Sequence, residues 1–317
     1  MARITDYGDG ISAIDSELLR PSATSIHLIV EKGRAAIVDT GTNNAVPLVL
    51  DALAVKGLAP EDVEYLVLTH IHLDHAGGAG LLMTRLPNAT LTVHPRGTRH
   101  ICDPRRLIEG TIAVYGEQVA RRLYGDIVPV PVARVLETPH EARLSLNGRE
   151  LRFIDTPGHA RHCVCIVDGG TGDIFAGDTF GLSYRELDVD GRCFIYPTTS
   201  PVQFDPPTLH RSVELLAQQR PQAIYVTHFS QVSDIPRLAA DLHRLLDAHE
   251  RIGLEARALN LRGAARQERL KEGITRLAIE ESGRQGWTVS EDRLLEVLGH
   301  DIELNAQGLG NWLDTLG

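Results

Sequence analysis

The chain has 317 residues, 43% of them hydrophobic and 23% charged, with a net charge of −10. That length accommodates one large domain plus an appendage, and the composition is that of a globular protein. The acidic balance argues against a long nucleic-acid partner, whose phosphates call for a basic surface, and leaves a small-molecule substrate as the expectation.

The opening run Met1-Ala2-Arg3-Ile4-Thr5-Asp6-Tyr7-Gly8-Asp9-Gly10 lacks the apolar core of a signal peptide. No stretch is long enough to cross a bilayer, so no membrane association is expected. Cys102, Cys163, Cys165 and Cys193 form no Cys-x-x-Cys pair. Cys163 and Cys165 alternate along a strand-like run and read as small apolar packing groups. A reduced, cytoplasmic protein fits this pattern.

In chain order, residues 25–39 read as a hairpin turning at Glu31-Lys32-Gly33-Arg34, and its second strand leads into Asp39-Thr40-Gly41. Residues 44–56 read as a helix, and residues 62–68 and 90–94 as strands. Residues 97–125 change character, with Arg105, Arg106, Tyr115, Arg121, Arg122 and Tyr124 in a helical stretch between two expected strands. Having no place in a sheet, this stretch reads as a helical insertion near the mouth of a site. Residues 150–178 return to strands, with Asp168-Gly169-Gly170-Thr171-Gly172-Asp173 as a turn. One of these strands runs into Asp155-Thr156-Pro157-Gly158-His159, and another ends at Gly177-Asp178.

The loop 181–207, with Tyr184, Arg185, Cys193, Phe194 and Tyr196, follows directly and is expected to line a substrate pocket. Residues 208–219 and 236–250 read as helices, and between them Ala223-Ile224-Tyr225-Val226-Thr227 ends at His228. These features place a catalytic domain at 1–250, with the insertion at about 97–125, and a helical appendage at 251–317. Within the appendage, Arg257, Arg262, Arg266, Arg269, Lys271 and Arg276 read as a solvated helix face in preference to an anion clamp. Trp287, Leu294, Leu295, Val297, Leu298, Trp312 and Leu313 would pack on the core or on the second subunit of a homodimer.

The densest chemistry lies in Thr69-His70-Ile71-His72-Leu73-Asp74-His75, after the apolar run Tyr65-Leu66-Val67-Leu68. Neutral imidazoles and carboxylates are ligands for zinc, iron and similar ions. His70 and His72 are two apart, so an extended chain points both side chains the same way. Asp74 and His75 come after a turn and can face a second point nearby, so one segment can serve two metals. Further strands end at Asp39, His159, Asp178 and His228. Layered α/β folds collect their sites beyond strand ends.

The Thr-His-x-His-x-Asp-His run, the later Gly158-His159, Gly177-Asp178 and the final Thr227-His228 resemble the metallo-β-lactamase superfamily over roughly residues 10–250. The resemblance implies a four-layer αββα sandwich and two divalent metal ions, zinc first, with iron or manganese as alternatives. It implies that His70, His72 and His159 hold the first metal and that Asp74, His75 and His228 hold the second. Asp178 would bridge the two, and Asp39 and Thr69 would support the ligands from behind.

A bridging Asp178 departs from the β-lactamases proper, and His72 departs from the flavin-dependent di-iron oxidoreductases, where an acidic residue stands there. The pattern is most similar to the glyoxalase II, lactonase and thioesterase branches, although Ala160-Arg161-His162 after His159 departs from the glyoxalase II motif. The reaction expected is hydrolysis of a small ester, thioester or lactone. Asp74 would carry the proton, and Tyr184 is the candidate to hydrogen-bond the substrate oxygen. Two alternatives stand beside it: a mononuclear iron oxygenase of the persulfide dioxygenase type, and a metal-binding regulatory protein.

Overall fold

Short apolar runs alternating with turns build two sheets in this chain, a computed structural model of which describes residues 1–199 and 201–316. The first sheet takes its strands in sequence order: β1 Ile4–Gly8, β2 Ile11–Asp15, β3 Ser25–Glu31, β4 Arg34–Val38, β5 Val63–Val67, β6 Thr90–Val93 and β7 Val135–Glu137. Pairing is antiparallel from β1 to β4 and parallel from β4 to β7. The second sheet contains β8 Arg143–Leu146, β9 Arg149–Asp155, β10 Val164–Asp168, β11 Ile174–Gly177, β12 Ile224–Val226 and β13 Ser230–Val232. It is antiparallel from β8 to β11 and parallel between β11 and β12.

The hairpin expected at residues 25–39 is β3–β4, with Glu31 opposite Arg34. Its two turn residues, Lys32 at φ 45° and Gly33 at φ 78°, adopt the left-handed conformation that a tight hairpin needs. The strands expected at 62–68, 90–94, 150–178 and 223–227 are also present as β5, β6, β9–β11 and β12. Strands β1, β2, β7, β8 and β13 are additional to that reading.

Strand β4 shows why its sequence is apolar after Arg34. Ala35 and Ile37 enter one core, while Ala36 and Val38 enter another. A strand covered on both faces has no polar side to display. One core lies between the sheets, where Ile11, Ile29 and Val67 meet Leu151, Phe153, Phe175 and Tyr225. The other covers the far face of the first sheet with Val49, Ala52 and Leu53 of α1 (Val46–Val55). Each fully buried Val, Leu, Ile or Phe among these contributes about 1.5–3 kcal/mol of burial. Helices α2 (Leu73–Ala76), α3 (Ala79–Met83), α4 (Pro95–Cys102), α5 (Arg105–Tyr115) and α6 (Glu117–Tyr124) follow, the last three covering the stretch expected to be helical at 97–125.

The remaining helices are α7 (Pro206–Gln218), α8 (Ile235–Ala258), α9 (Gly263–Gln285) and α10 (Glu291–Thr315). Asp205 caps α7 by accepting from the Thr208 amide at 3.2 Å, ahead of Pro206 in the first turn. Ser290 caps α10 in the same way through the Arg293 amide, with Glu291 and Asp292 in the first turn. Helix α8 runs unbroken across residue 251, where the sequence motifs stop.

The chain folds as two compact units. The first contains Met1–Asp155, His162–Gly177 and Ala223–Gln231, and so both sheets apart from Val232 at the end of β13. The second contains Thr156–Arg161, Asp178–Gln222 and Val232–Gly317, with α7–α10. In the second unit two basic residues of α9 pair with α10. Arg266 makes two hydrogen bonds to Asp314 at 2.7 and 2.8 Å, and Lys271 lies 3.1 Å from Glu303. These pairs are partly solvated and contribute little each, but they fix which faces of the helices meet. Among the described residues no helix is long and apolar enough to cross a membrane.

His249 of α8 is fully buried, donates to the Leu245 carbonyl at 2.8 Å and packs on the Tyr196 ring. Burial pushes its pKa down from 6.5 to about 4. The unfolded chain therefore takes up this proton first as pH falls, and stability present above 6.5 is lost between 6.5 and about 4. Chemical denaturation of His249→Leu should show a smaller loss of stability than wild type between about pH 7.5 and about pH 5. An identical slope in the two proteins would contradict this account.

Candidate metal centre

The centre of the first unit is built where β5 leaves its sheet. Leu68 still donates to Thr92, but the next residues bond elsewhere. The Thr69 amide and hydroxyl both reach Asp39 Oδ1, at 2.9 and 3.0 Å, while the Thr69 carbonyl accepts from Val164 at 2.9 Å. Thr69 Oγ1 lies 3.2 Å from His70 Nδ1, which leaves His70 Nε2 facing His72 Nδ1 at 3.0 Å. The extended spacing does bring these two imidazoles together. The His72 carbonyl then starts α2 by accepting from His75 and Ala76, and that single turn carries Asp74 and His75.

Asp39 is 1% exposed and holds this region from behind. Its backbone, at φ 60°, turns sharply out of β4. Its Oδ2 accepts from His75 Nδ1 at 2.8 Å and from Thr227 Oγ1 at 3.0 Å. With Nδ1 donating to Asp39, His75 presents Nε2 to Asp74 Oδ2 at 3.4 Å. His228 repeats the arrangement: Nδ1 lies 3.1 Å from the Ala23 carbonyl, and Nε2 lies 3.4 Å from the same Asp74 oxygen. Gly177 makes room behind the group, since a Cβ there would lie 2.5 Å from Thr69 Oγ1.

The Asp74, His75 and His228 ligand atoms all lie within 4.8 Å of one another. Metal–ligand bonds of about 2.0–2.2 Å at tetrahedral angles separate neighbouring donors by about 3.3–3.6 Å. The two 3.4 Å separations therefore match the edges of a coordination polyhedron. The donor set, two imidazoles with fixed tautomers and one carboxylate, suits zinc, iron or manganese. Burial works against ionising Asp74, yet the His75 and His228 imidazoles outweigh it and hold the carboxyl well below the usual carboxylate range.

The second unit holds His159 and Asp178. His159 Nε2 lies 3.5 Å from Asp178 Oδ2, again a coordination-edge distance, and His159 Nδ1 lies 3.2 Å from the Thr198 carbonyl. The Thr198 hydroxyl donates to the Asp178 carbonyl at 2.9 Å. Tyr184 is placed differently from a group aimed at substrate. It is 4% exposed, and its hydroxyl donates to the Asp301 carboxylate of α10 at 3.1 and 3.2 Å. A buried phenol needs such a partner.

Three residues beyond the seven candidate ligands also matter to their surroundings. His162 is buried, with its ring parallel to His70 at 6.1 Å and edge-on to His72 at 5.8 Å. Tyr124, at the end of the insertion, is buried against Tyr115; burial first, then the negative Asp74, raises its phenol pKa. The sequence carried a signal for both, since His162 follows His159 closely and Tyr124 lies in the orphan helical segment. Thr198 has no such signal, because it acts through its carbonyl and hydroxyl from within an irregular loop.

A two-sheet α/β fold with histidine and aspartate donors at its strand ends defines a class of metal-dependent proteins, mostly hydrolases. The sequence model of the metallo-β-lactamase superfamily matches residues 19–228, and the chain belongs to that superfamily. Its members typically bind two metal ions. The chain is 25% identical over 222 residues to the metallo-β-lactamase fold-containing protein ST1585 of Sulfurisphaera tokodaii, covering 67% of this chain and 75% of the relative. It is 32% identical over 162 residues to a hydroxyacylglutathione hydrolase of Xylella fastidiosa, spanning 50% of this chain and 46% of that enzyme. Among solved structures, a metallo-β-lactamase family protein from Thermus thermophilus superposes with a TM-score of 0.67. That match has 21% identity and covers 97% of this chain and 94% of the other, and it supports the shared fold.

Asp39→Asn tests the supporting role of that carboxylate. The amide cannot accept from Thr69, Thr227 and His75 together, so His75 loses its enforced tautomer. Metal affinity should fall about 10–100-fold, measured by competition with a chelator. Wild-type affinity in Asp39→Asn would show that the ligands orient themselves.

Proposed function

We propose that this chain is a metal-dependent hydrolase that cleaves a small ester, thioester or lactone. The observation that carries the reading is the Asp74–His75–His228 group, with both imidazole Nε2 atoms 3.4 Å from one carboxylate oxygen and both Nδ1 atoms engaged behind. Following the superfamily pattern, His70, His72 and His159 would hold one metal and Asp74, His75 and His228 the second, with Asp178 as the remaining ligand. Zinc is the first candidate, with iron and manganese next. When bound, the cations supply a hydroxide at neutral pH and a Lewis acid for the substrate carbonyl.

The protein's own groups do the rest. Asp74 would accept a hydrogen bond from the nucleophile and pass its proton to the leaving group. Asp39, Thr69 and Thr227 keep His75 from rotating as charge moves. The relatives named hydroxyacylglutathione hydrolase support hydrolysis of an acyl compound. The departure at Ala160-Arg161-His162 favours an acyl group on a carrier other than glutathione. The net charge of −10 supports a small molecule over a nucleic acid.

Metal analysis of protein purified without added metal, paired with a panel of esters, thioesters and lactones, tests the reading. Two metals per chain and turnover of at least one panel member are expected. A fully loaded chain with one metal that consumes oxygen would replace this reading with the oxygenase. Asp178→Asn should keep the fold but weaken metal binding and lower turnover by about 10–100-fold or more. Full metal content with near-normal turnover in Asp178→Asn would remove Asp178 from the ligand set.

A further inference from the structure

Asn305 lies in the middle of α10 and is only 2% exposed, among buried Ile302, Ala306 and Leu309. A buried amide is costly unless its donors and acceptor are used, and an aliphatic side chain would pack there at less cost. Asn305 spends its polar atoms on one loop segment. Its Oδ1 accepts from the Thr199 amide at 2.7 Å, and its Nδ2 donates to the Pro197 carbonyl at 3.0 Å. Its backbone carbonyl also accepts from the Thr199 hydroxyl at 3.2 Å.

The two residues so gripped flank Thr198. The polar atoms of Thr198 face the other way: its carbonyl lies 3.2 Å from His159 Nδ1, and its hydroxyl donates to the Asp178 carbonyl at 2.9 Å. We propose that Asn305 is a positioning residue for the metal-ligating His159, acting through the Pro197–Thr199 segment that it clamps. The proposal rests on the reading of His159 and Asp178 as ligands. It also gives the C-terminal helix a task in the site.

The physical chain is short. With Nδ1–H donated to the Thr198 carbonyl, His159 is held in the tautomer whose Nε2 lone pair faces Asp178 Oδ2 at 3.5 Å. Orientation of a ligand imidazole by such a partner governs metal affinity. Thr198 can supply a fixed carbonyl only while its neighbours are fixed. Nearby contacts act in the same sense: Tyr184 donates to Asp301, one turn before Asn305, and Tyr196 donates to the Ile274 carbonyl of α9 at 3.5 Å.

Zinc titration of the full-length chain against a chromophoric chelator tests this, with wild type, Asn305→Ala and Leu309→Ala compared. Leu309 is fully buried on the same helix but makes none of these loop contacts, so its truncation controls for general loosening of α10. Wild type should bind two zinc ions. Asn305→Ala should weaken one of the two binding steps by about 3–10-fold, the lower part of the range for losing support behind a ligand. Leu309→Ala should lower Tm and leave both steps unchanged. If Asn305→Ala does not fold, Asn305→Asp keeps the volume and the acceptor for Thr199 but loses the donor to Pro197, and one step should weaken likewise. Two zinc ions bound with wild-type affinity by the Asn305 variant would overturn the inference alone. So would an equal loss in Leu309→Ala. A wild-type chain that binds no zinc, and in the same titration no iron(II) or manganese(II), would overturn both the inference and the hydrolase reading beneath it.

Discussion

The first unit is organised around the carboxylate of Asp39. A carboxylate taken out of water is unfavourable unless donors surround it. Here the donors are the Thr69 amide and hydroxyl, His75 Nδ1 and the Thr227 hydroxyl. They come from the ends of β5 and β12 and from α2, segments far apart in sequence. The left-handed turn at Asp39 aims the carboxylate at all of them, and its amide still pairs with the Val67 carbonyl at 2.8 Å. One buried charge thus fixes where three segments stop relative to each other.

The geometry of the candidate ligands Asp74, His75 and His228 follows from that anchoring. His75 cannot present Nε2 to Asp74 unless Nδ1 is engaged, and Asp39 engages it. His228 depends in the same way on the Ala23 carbonyl. Backbone shape supplies the rest: an extended step sets His70 beside His72, and a single helical turn carries Asp74 and His75. No ligand in this group needs a flexible loop to find its place. The absence of a side chain at Gly177 is part of the same construction, because Thr69 occupies the space.

The helical unit solves a different problem. The loop after Asp178 has little regular structure of its own, so its backbone polar groups need partners elsewhere. Asn305 of α10 provides them for Thr199 and Pro197, while Asp301 and the Ile274 carbonyl accept from the Tyr184 and Tyr196 side-chain hydroxyls. Arg244 makes two hydrogen bonds to the buried Glu281 at 2.7 and 2.6 Å, which adds a register between α8 and α9. Apolar packing alone would leave these helices free to slide; specific polar contacts choose one arrangement.

Much of this was legible in the sequence. The run from Thr69 to His75 showed candidate metal donors directly, because donor types and backbone period are local properties. The hairpin at β3–β4, the central strands and the long helices followed from apolar runs and turn residues for the same reason. Five short strands were not legible: β1 and β7 bury too little to show a period, β8 alternates over only four residues, and β2 and β13 lie among polar residues. Nor did the sequence reveal that Tyr184 turns to Asp301, that Tyr124 lies near Asp74, or that Asn305 grips the segment around Thr198. These pairings join residues separated by long stretches of chain and depend on where a carbonyl or hydroxyl ends up after packing. The sequence by itself determined which groups could bind metal and which segments would be strand or helix. Only the tertiary structure decided which hydrogen-bond partner each ligand would have, because burial makes an unsatisfied polar group costly and folding must satisfy it from whatever lies nearby.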